Sequence, residues 1–464
     1  MHINMNAYTV PPGKRTPTPA QLLEYFLQLL PLEALLQLPA LAKGGFYKRL
    51  FTPPVTLWLL LFQRLNADHT LDAAVTHARS GGADGLGTNL SGRLRSDSTS
   101  SYSDGRKRLS VRFVLEALQS LGGKISGPCP DALLKGLRVV LLDGSTARMR
   151  SQGDIPKKFP PHGNQRGPGY WCLMRVVVSF CAVSGAALDC ALGATGLSEQ
   201  ALGARIILRS AAGCLFVGDR NFGIFLVVQA ARAKGQHVLL RLTDQRATTI
   251  KGGALRLGDH RVAWKPGRDC QRLRGQSTEP VVGRLLVARV QRPGFRSKRL
   301  CLFTTLCSCL DYPPKELVEL YGLRWQIEVN LRHVKAELGS AQMEVRSADM
   351  ARKEWLAGLI AYNLVRAAML CSALHAEVQP LSLSFSACRR RLEGWLRDWG
   401  ADRKRACASW KRLLVRMGKC RLPRRRKPRP SEPRAQRHLR ESFPPLVGSR
   451  AAARRKLHEH MAKS

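Results

Sequence analysis

The most regular hydrophobic pattern in the chain lies between residues 320 and 339, where apolar positions recur every three or four residues. On a helix that advances about 100° per residue, they fall within an arc of roughly 80°: Leu320, Leu323, Ile327, Leu331, Val334 and Leu338. A second arc of roughly 60° beside it carries polar or charged side chains: Tyr321, Arg324, Glu328 and Lys335. The pattern predicts a helix with one buried edge, opened by Pro313 and Pro314 and ended by Gly339.

Glu328 has a simple interpretation as half of a solvated ion pair with the arginine four residues before or after it. Such a pair contributes only a few tenths of a kcal/mol. Two other acidic residues favour a different interpretation, because Asp143 and Asp219 each follow a short apolar run, at residues 139–142 and 214–218. Both runs are typical of buried strands. Two aspartates at strand ends and one helix carboxylate would together form an oxygen-ligand site for Mg²⁺.

From residue 131 onwards the pattern is that of a mixed α/β domain. Apolar runs bounded by turn residues predict strands at residues 138–142, 173–183, 186–192, 214–218, 237–242 and 300–306. Helical patterns are found at residues 199–210, 222–234 and 353–374. Residues 243–298 interrupt this order with short strands at 261–264 and 281–290, which predicts a mostly β insertion. For residues 131–400 the pattern alone supports an α/β fold class.

Residues 1–130 are predicted to be a helical N-terminal region, with helices at residues 21–41, 54–65, 70–78 and 106–121. The Gly- and Ser-rich residues 80–104 are predicted to form a long exposed loop. Several basic side chains here are either DNA contacts or ordinary surface charge, and the sequence does not separate the two: Arg93, Arg95, Arg106, Lys107 and Arg108.

Residues 401–464 are basic and Pro-rich, with 21 Lys and Arg against 4 Asp and Glu. We predict a disordered tail, because such a composition cannot bury enough apolar surface to fold alone. Non-specific phosphate binding and simple solvation are both open interpretations of its charge.

The whole chain of 464 residues carries 75 Lys and Arg against 33 Asp and Glu, a formal net charge of +42. An excess of that size favours a polyanionic partner, most simply nucleic acid. A membrane is a competing polyanion, but no basic amphipathic helix stands out, and the apolar run at residues 57–62 is far too short to span a bilayer. Residues 1–16 contain no apolar segment of a secretory signal. The 13 cysteines lack zinc-finger or disulfide spacing, which favours free thiols in a reducing cytoplasm.

The polar arc also carries a family resemblance. Tyr321-x2-Arg324-x3-Glu328-x6-Lys335 is similar, spacing for spacing, to the Y-R-E-K signature of DDE transposases of the insertion-sequence-4 family. The Asp143-Gly-Ser and Asp219-Arg motifs resemble the two aspartate motifs of that family. The resemblance covers roughly residues 45–375. One departure is the serine after Asp143-Gly, where the family more often has threonine.

The resemblance implies an RNase H-like mixed sheet with flanking helices, interrupted by the β insertion and preceded by a helical N-terminal domain that engages DNA ends. It implies that Asp143, Asp219 and Glu328 are the catalytic carboxylates and hold two Mg²⁺ ions, with Mn²⁺ as a substitute. In the family's division of roles, Asp143 bridges both ions, and Asp219 and Glu328 each complete one.

The other signature residues are implied to bind DNA. The resemblance implies that Tyr321, Arg324 and Lys335 grip the transposon end. Lys335 lies two helical turns beyond Glu328, about 10 Å along the axis, which is too far to share the metal site and suits an adjacent phosphate. Trp325 is suited to stack on a displaced base, and packing in the core is an equal alternative.

The activity implied is cut-and-paste transposition: hydrolysis of one strand, attack of the freed 3′-hydroxyl on the other strand to give a hairpin, reopening, and strand transfer. The implied partners are double-stranded DNA, as terminal inverted repeats and target, and a second copy of the chain in a homodimer. We expect a cytoplasmic, nucleoid-associated protein with no membrane segment. Two alternatives stay open, an inactive relative that represses transposition and a structure-specific nuclease without strand transfer. The three intact carboxylates argue against the first.

Overall fold

The computed structural model describes residues 17–29, 50–66, 68–86, 89–127, 134–164, 167–267, 279–289, 299–423 and 449–462. Within these ranges ten strands form one mixed sheet, in the order β2-β3-β1-β5-β6-β9-β8-β7, with β4 beside β3 and β10 beside β1. The strands are β1 (Arg138–Met149), β2 (Pro161–Asn164), β3 (Gly167–Cys181), β4 (Ala187–Ala194), β5 (Cys214–Gly218), β6 (His237–Arg241), β7 (Gly258–Trp264), β8 (Val281–Arg289), β9 (Arg299–Thr304) and β10 (Gln342–Met343).

The α-helices of the described residues are α1 (Pro19–Leu27), α2 (Pro53–Leu65), α3 (Leu71–His77), α4 (Leu90–Arg93), α5 (Ser100–Arg108), α6 (Val111–Ser126), α7 (Ile155–Lys158), α8 (Glu199–Arg209), α9 (Phe225–Ala233), α10 (Asp244–Lys251), α11 (Pro314–Tyr321), α12 (Trp325–Arg332), α13 (Ala348–His375), α14 (Phe385–Ala401), α15 (Arg403–Gly418) and α16 (Arg450–Met461).

The centre of the sheet has the order predicted for an RNase H-like domain. β3 and β4 form an antiparallel hairpin beside β1, and β5 and β6 continue in parallel from the other side of β1. Apolar side chains of β5 and β6 are buried on both faces, as expected for strands covered by helices on each side. The predicted RNase H-like mixed α/β fold is therefore confirmed.

The sequence predicted that β1 ends at Asp143, but the strand continues to Met149. The antiparallel partner β3 is long enough to pair it throughout, up to Met149 opposite Cys172. Pairing with β5, by contrast, stops at Leu142 opposite Gly218. Asp143 therefore lies at the end of the parallel ladder but in the middle of its own strand.

The predicted β insertion is part of the same sheet, because β7 and β8 pair with each other and β8 pairs with β9. It also contains the helix α10. Arg284 of β8 is buried, and its guanidinium contacts Asp259 of β7. The same guanidinium donates hydrogen bonds to the carbonyls of Leu306 at 3.1 Å, Ser308 at 3.1 Å and Tyr312 at 2.9 Å. The insertion is thereby fixed to the loop that leads into α11.

Helix α13 is the centre of the larger hydrophobic core. By length and composition alone it would be able to cross a membrane, but the whole of its apolar window is buried inside the protein, as in a core helix. Asn363 binds the backbone at the sheet edge directly: its Oδ1 accepts from Ala187 N, and its Nδ2 donates to Ala187 O, both at 2.8 Å. Tyr362 donates to Gly185 O at 2.6 Å. The predicted helix over residues 353–374 is confirmed and is longer than expected.

The N-terminal helices pack on α13 through a buried charge cluster. Glu354 of α13 pairs with Arg106 and, at 3.6 Å, with Arg64. Lys353 donates to the carbonyls of Arg106 at 3.1 Å and Lys107 at 3.0 Å. Arg106 is therefore a packing residue, and neither of the two open interpretations, DNA contact or surface charge, holds for it. Arg93, Arg95, Lys107 and Arg108 have exposed side chains, so both interpretations stay open for them.

Two predicted boundaries in the N-terminal region are wrong. Residues 80–104 are not one long loop, since they include α4 and the beginning of α5. The predicted helix over residues 106–121 is two helices, α5 and α6, because Ser110 caps a new helix by accepting a bond from Phe113 N at 3.0 Å.

The predicted disordered tail is also wrong over its first part. Residues 403–418 form α15, which buries Trp410 and Leu414 against the core. The indole of Trp410 lies 4.9 Å from the ring of Phe26 in α1, measured between ring centroids. The folded part of the chain thus extends to at least Pro423, and the most basic residues, 424–448, lie outside the described residues.

The cysteines of the described residues are free thiols, and most are buried: Cys172, Cys181, Cys190, Cys214, Cys301, Cys307, Cys309, Cys371, Cys388, Cys407 and Cys420.

Candidate active site

Asp143 and Asp219 are brought together by strand register. In the parallel ladder between β1 and β5, the last pair is Leu142 opposite Gly218. The next residue on each strand is an aspartate, so the two carboxylates leave the sheet side by side. Both residues are partly exposed, at the carboxyl end of the parallel strands, where ligands bind in open α/β sheets. The two apolar runs that precede the aspartates are buried strands, as the sequence predicted, and the role of the aspartates stays a prediction.

Asp143 has a strongly perturbed environment. The pKa of its carboxyl is raised to about 6, chiefly by burial and to a smaller extent by the charges of Asp219 and Glu328. A hydrogen bond from Gly144 N, at 2.8 Å, and the charge of Arg324 act in the opposite direction. The three predicted carboxylates are thus close enough for their charges to interact. Converging carboxylates with one shifted pKa are typical of a functional site.

Glu328 lies on α12, which packs against β1. The side chain of Arg324 donates from Nη2 to Glu328 Oε1 at 2.7 Å, so the simple ion-pair interpretation of this spacing is also realised. Both side chains are only partly exposed. The Glu328 carboxylate is therefore at the site but is directed towards its own arginine.

The segment that carries Glu328 is one helical rod of changing pitch. α11 is followed by a 3₁₀ turn over Gly322–Arg324, then by α12 and by a π-helical turn over His333–Glu337. Its apolar edge is buried as predicted, with Leu323 partly exposed and the others fully buried: Leu320, Ile327, Leu331, Val334 and Leu338. Gly339 ends the rod with a φ of +64°.

The four predicted DNA-binding residues have unlike surroundings. The sequence placed Tyr321 on the polar arc of the helix. Its side chain is only 4% exposed, so Tyr321 is part of the buried edge instead. Burial raises its pKa to about 12, while the nearby charge of Arg324 lowers it. Trp325, at 59% exposed, projects into solvent, and the alternative of core packing is wrong.

Lys335 reaches back to the strand that carries Asp143. Its Nζ donates to Ser145 Oγ at 3.1 Å, and Ser145 is two residues beyond Asp143 on the same face of β1. Burial lowers the pKa of Lys335, and the charge of Arg148 lowers it further. The distance along the rod suggested that Lys335 stands apart from the carboxylates, but the structure places it at the margin of their site.

Part of the chain is similar to known transposases. Residues 134–364 match the family model described as the transposase DDE domain. Transposase InsG for insertion sequence element IS4 of Escherichia coli (strain K12) is 26% identical over 258 residues, which are 54% of this chain and 57% of that protein. These two matches support the resemblance of the chain to DDE transposases of the insertion-sequence-4 family. That Tyr321, Arg324, Glu328 and Lys335 act as the Y-R-E-K signature of the family remains a prediction from the sequence.

The chain spans a little over half the length of this curated relative. A solved structure, the piggyBac transposase synaptic complex with hairpin DNA, is similar over 90% of this chain and 87% of that chain, at 10% identity and a TM-score of 0.38.

DDE transposases generally use divalent metal ions, and the carboxylates of this chain fit that use in part. Asp143 and Asp219 supply adjacent oxygen donors, the ligands that hard divalent cations prefer. Among the described residues, however, no group of three His, Cys, Asp or Glu side chains is arranged closely enough to hold a metal ion as it stands.

A fourth carboxylate at this site was missed in the sequence. Glu199, the first residue of α8, was predicted only as a helix start, although its side chain lies against Gly144 beside Asp143. No local pattern could have identified it, because 55 residues separate Glu199 from Gly144 and only the fold brings them together.

Proposed function

We propose that the chain is a DNA transposase that cuts an insertion sequence from its flanking DNA and joins it to a target. The observation that supports this most directly is the register of β1 and β5, which sets Asp143 beside Asp219 below the helix that carries Glu328. This arrangement occurs inside a segment that matches the transposase DDE domain. The proposed cofactor is a pair of Mg²⁺ ions, with Mn²⁺ as a substitute.

The carboxylates have distinct proposed roles. Asp143 would help to hold both ions, because the charges of both Asp219 and Glu328 act on its carboxyl. Asp219 and Glu328 would each complete one ion. When bound, two divalent ions activate the attacking water and stabilise the charge that develops on the leaving oxygen. Arg324 orients the Glu328 carboxylate beforehand, and becomes available to a DNA phosphate when Glu328 turns towards Asp143.

The DNA contacts follow from charge and exposure. Lys335 donates to Ser145, two residues from Asp143, and Arg148 is near enough for its charge to act on Lys335. We assign to Lys335 and Arg148 the phosphate next to the cleaved bond. The exposed indole of Trp325 is available to stack on a base displaced from the DNA end. The net charge of +42 adds a sequence-independent attraction for DNA, both for inverted repeats and for target. Two copies of the chain, one for each end, form the proposed active complex.

The test is cleavage of a duplex that carries the inverted repeats flanking the gene for this chain. We expect Mg²⁺-dependent cleavage by the full chain, and joining of the released 3′-hydroxyl to a second duplex. Asp143→Asn, Asp219→Asn and Glu328→Gln should abolish cleavage while DNA-end binding persists. Asp398→Asn, a change of an aspartate on α14 outside the site, is the matched control and should cleave normally.

Three results would contradict the proposal. Binding without cleavage by the unaltered chain would favour the repressor alternative, and cleavage without joining would favour the nuclease. Near-normal cleavage by any one of the three carboxylate variants would remove that residue from the catalytic set.

A further inference from the structure

Glu199 lies where a side chain of residue 144 would otherwise be. It is the first residue of α8, and Ser198 caps that helix by accepting a bond from Ala201 N at 3.1 Å. A Cβ added to Gly144 would lie 2.4 Å from the carboxyl carbon of Glu199. The Glu199 carboxylate therefore packs directly on the backbone that follows Asp143.

Asn221, in the turn after β5, is held at both ends of its amide by α8. Its Nδ2 donates to Glu199 Oε2, and its Oδ1 accepts from Gln200 Nε2 at 2.7 Å. Gln200 Nε2 also donates to the Asn221 carbonyl at 3.1 Å. We call Glu199 and Gln200 the Asn221 clamp.

The turn that the clamp holds is the one that orients Asp219. Asn221 N donates to Asp219 Oδ1 at 2.9 Å, and Phe222 N donates to Asp219 O at 3.1 Å. A continuous chain of hydrogen bonds thus runs from Glu199 through Asn221 to the carboxylate of Asp219. Hydrogen-bonded groups behind a metal ligand fix its rotamer, and their loss weakens metal affinity about 10- to 100-fold.

We propose that Glu199 is a positioning residue of the active site, which holds Asn221 so that Asp219 presents its carboxylate to a divalent ion. This inference rests on the proposed function, because it assumes that Asp219 is a metal ligand. Glu199 acts through Asn221, and one of its oxygens is already engaged as a hydrogen-bond acceptor. Burial raises the pKa of Glu199, whereas the charge of Arg175 and the bond from Asn221 lower it, so the carboxylate has its own cation nearby.

Two substitutions separate positioning from direct metal binding. Glu199→Gln keeps an oxygen that accepts the bond from Asn221 Nδ2 but removes the negative charge. Glu199→Ala removes both. A positioning residue tolerates the first change and not the second, whereas a metal ligand tolerates neither. The matched control is Glu316, also an acidic residue in the first turn of a helix, α11, changed to Gln and to Ala.

The experiment uses the full chain and measures Mn²⁺ affinity without DNA, by electron paramagnetic resonance of the free ion, together with the affinity for a DNA end. We expect Glu199→Ala to weaken Mn²⁺ binding about tenfold, with DNA-end affinity within about twofold of the unaltered chain. Glu199→Gln and both Glu316 variants should stay within about twofold in both measurements. The Mg²⁺ concentration for half-maximal cleavage should rise in parallel in Glu199→Ala, with the rate largely recovered at saturating Mg²⁺.

Three outcomes overturn the inference. Unchanged Mn²⁺ affinity in Glu199→Ala means that Glu199 has no positioning role. A loss in Glu199→Gln as large as in Asp219→Ala means that Glu199 is itself a ligand. A lower Tm with normal Mn²⁺ affinity means that its role is structural. If Glu199→Ala does not fold, Gln200→Ala removes the other half of the Asn221 clamp and is judged by the same measurements. A chain that binds Mn²⁺ but never cleaves DNA would refute the proposed function and leave the Glu199 comparison intact.

Discussion

At the scale of single residues, Gly144 limits how the site can vary. The atoms nearest to a Cβ added at residue 144 would be those of the Glu199 carboxylate. Any side chain at residue 144 would therefore displace the Asn221 clamp. The requirement for glycine therefore comes from a through-space contact, and not from a left-handed backbone conformation.

Gly144→Ala is expected to weaken Mn²⁺ binding and cleavage about as much as Glu199→Ala does, because the new methyl group pushes the carboxylate away from Asn221. The double variant Gly144→Ala/Glu199→Ala should be no worse than Glu199→Ala alone, since the clash is then absent. The Mn²⁺ affinities of the three variants provide the measurement. Additive losses in the double variant would mean that Gly144 matters for another reason.

Lys335→Ala should fail differently from Glu328→Gln, although both residues lie on one helical rod. Removal of the Lys335 cation takes away a phosphate partner, so DNA-end binding should weaken by about 1 kcal/mol or more, with cleavage largely recovered at saturating DNA. Glu328→Gln should bind ends normally and not cleave. Lys234→Ala, a change of the exposed lysine that follows α9, is the control. If Lys335→Ala bound DNA ends normally, the only role of Lys335 would be its structural hydrogen bond to Ser145.

Residue-level prediction from the sequence depends on local signals. Asp143, Asp219 and the buried edge of the rod follow from short patterns of apolar residues. Tyr321 was misplaced because a helical wheel assumes a constant 100° per residue, whereas the 3₁₀ turn after Tyr321 advances about 120° per residue and shifts the phase. Glu199 was not predicted because its contacts depend on tertiary structure.

At the scale of elements, the π-helical turn ties the rod to α14. His333 stacks on Phe385, with ring centroids 4.4 Å apart. The pKa of His333 is lowered to about 3, chiefly by burial and to a smaller extent by the charges of Arg366 and Arg332. A group with a depressed folded-state pKa of this kind stabilises the fold above its unfolded pKa of about 6.5, and that stability is lost as the pH falls towards 3.

Between pH 7 and pH 5, the unaltered chain should therefore lose up to about 2 kcal/mol more free energy of unfolding than His333→Phe, which keeps a flat ring against Phe385 but cannot bind a proton. Denaturant titrations of both chains at the two pH values provide the comparison. His375→Phe, a histidine in the last turn of α13, is the control and should follow the unaltered chain. If all three chains lost the same free energy of unfolding between the two pH values, protonation of His333 would not contribute to the acid sensitivity of the fold.

The element pattern of the catalytic domain was also predictable, for a physical reason. Buried parallel strands have nearly continuous apolar runs, so β5 and β6 are evident from composition alone. Pairing partners are not evident, so the sequence did not reveal that β7 and β8 extend the main sheet. The boundary at residue 401 failed because composition was averaged over residues 401–464. That average combined the amphipathic helix α15 with the far more basic residues after it.

At the scale of the whole molecule, two truncations separate the folded core from the basic end. Ending the chain after residue 401 removes α15 and leaves Phe26 without Trp410, so this chain should be largely unfolded by circular dichroism. Ending it after residue 423 keeps α15 and the bond from Leu422 N to Ser382 O, and this chain should fold.

The chain that ends after residue 423 should bind non-specific DNA more weakly, with a flatter dependence on salt. For every phosphate that the shortened chain no longer neutralises, the slope of log K against log salt falls by about 0.9. A full-length chain with glutamine in place of the arginines at 424–426 is the control for charge alone. An unchanged slope in the truncated chain would exclude this segment from DNA binding.

The packing of Phe26 against Trp395 and Trp410, 5.6 Å and 4.9 Å between ring centroids, has a consequence for synthesis. Helix α1 leaves the ribosome roughly 20 to 70 seconds before the helices that cover it, at ordinary rates of translation. During that time its apolar face is uncovered, and chaperones and proteases can bind it. A message that ends before the codons of α15 would release a chain that lacks Trp410 and cannot cover α1 completely. Quality control would then remove it before it could compete with the complete protein for DNA.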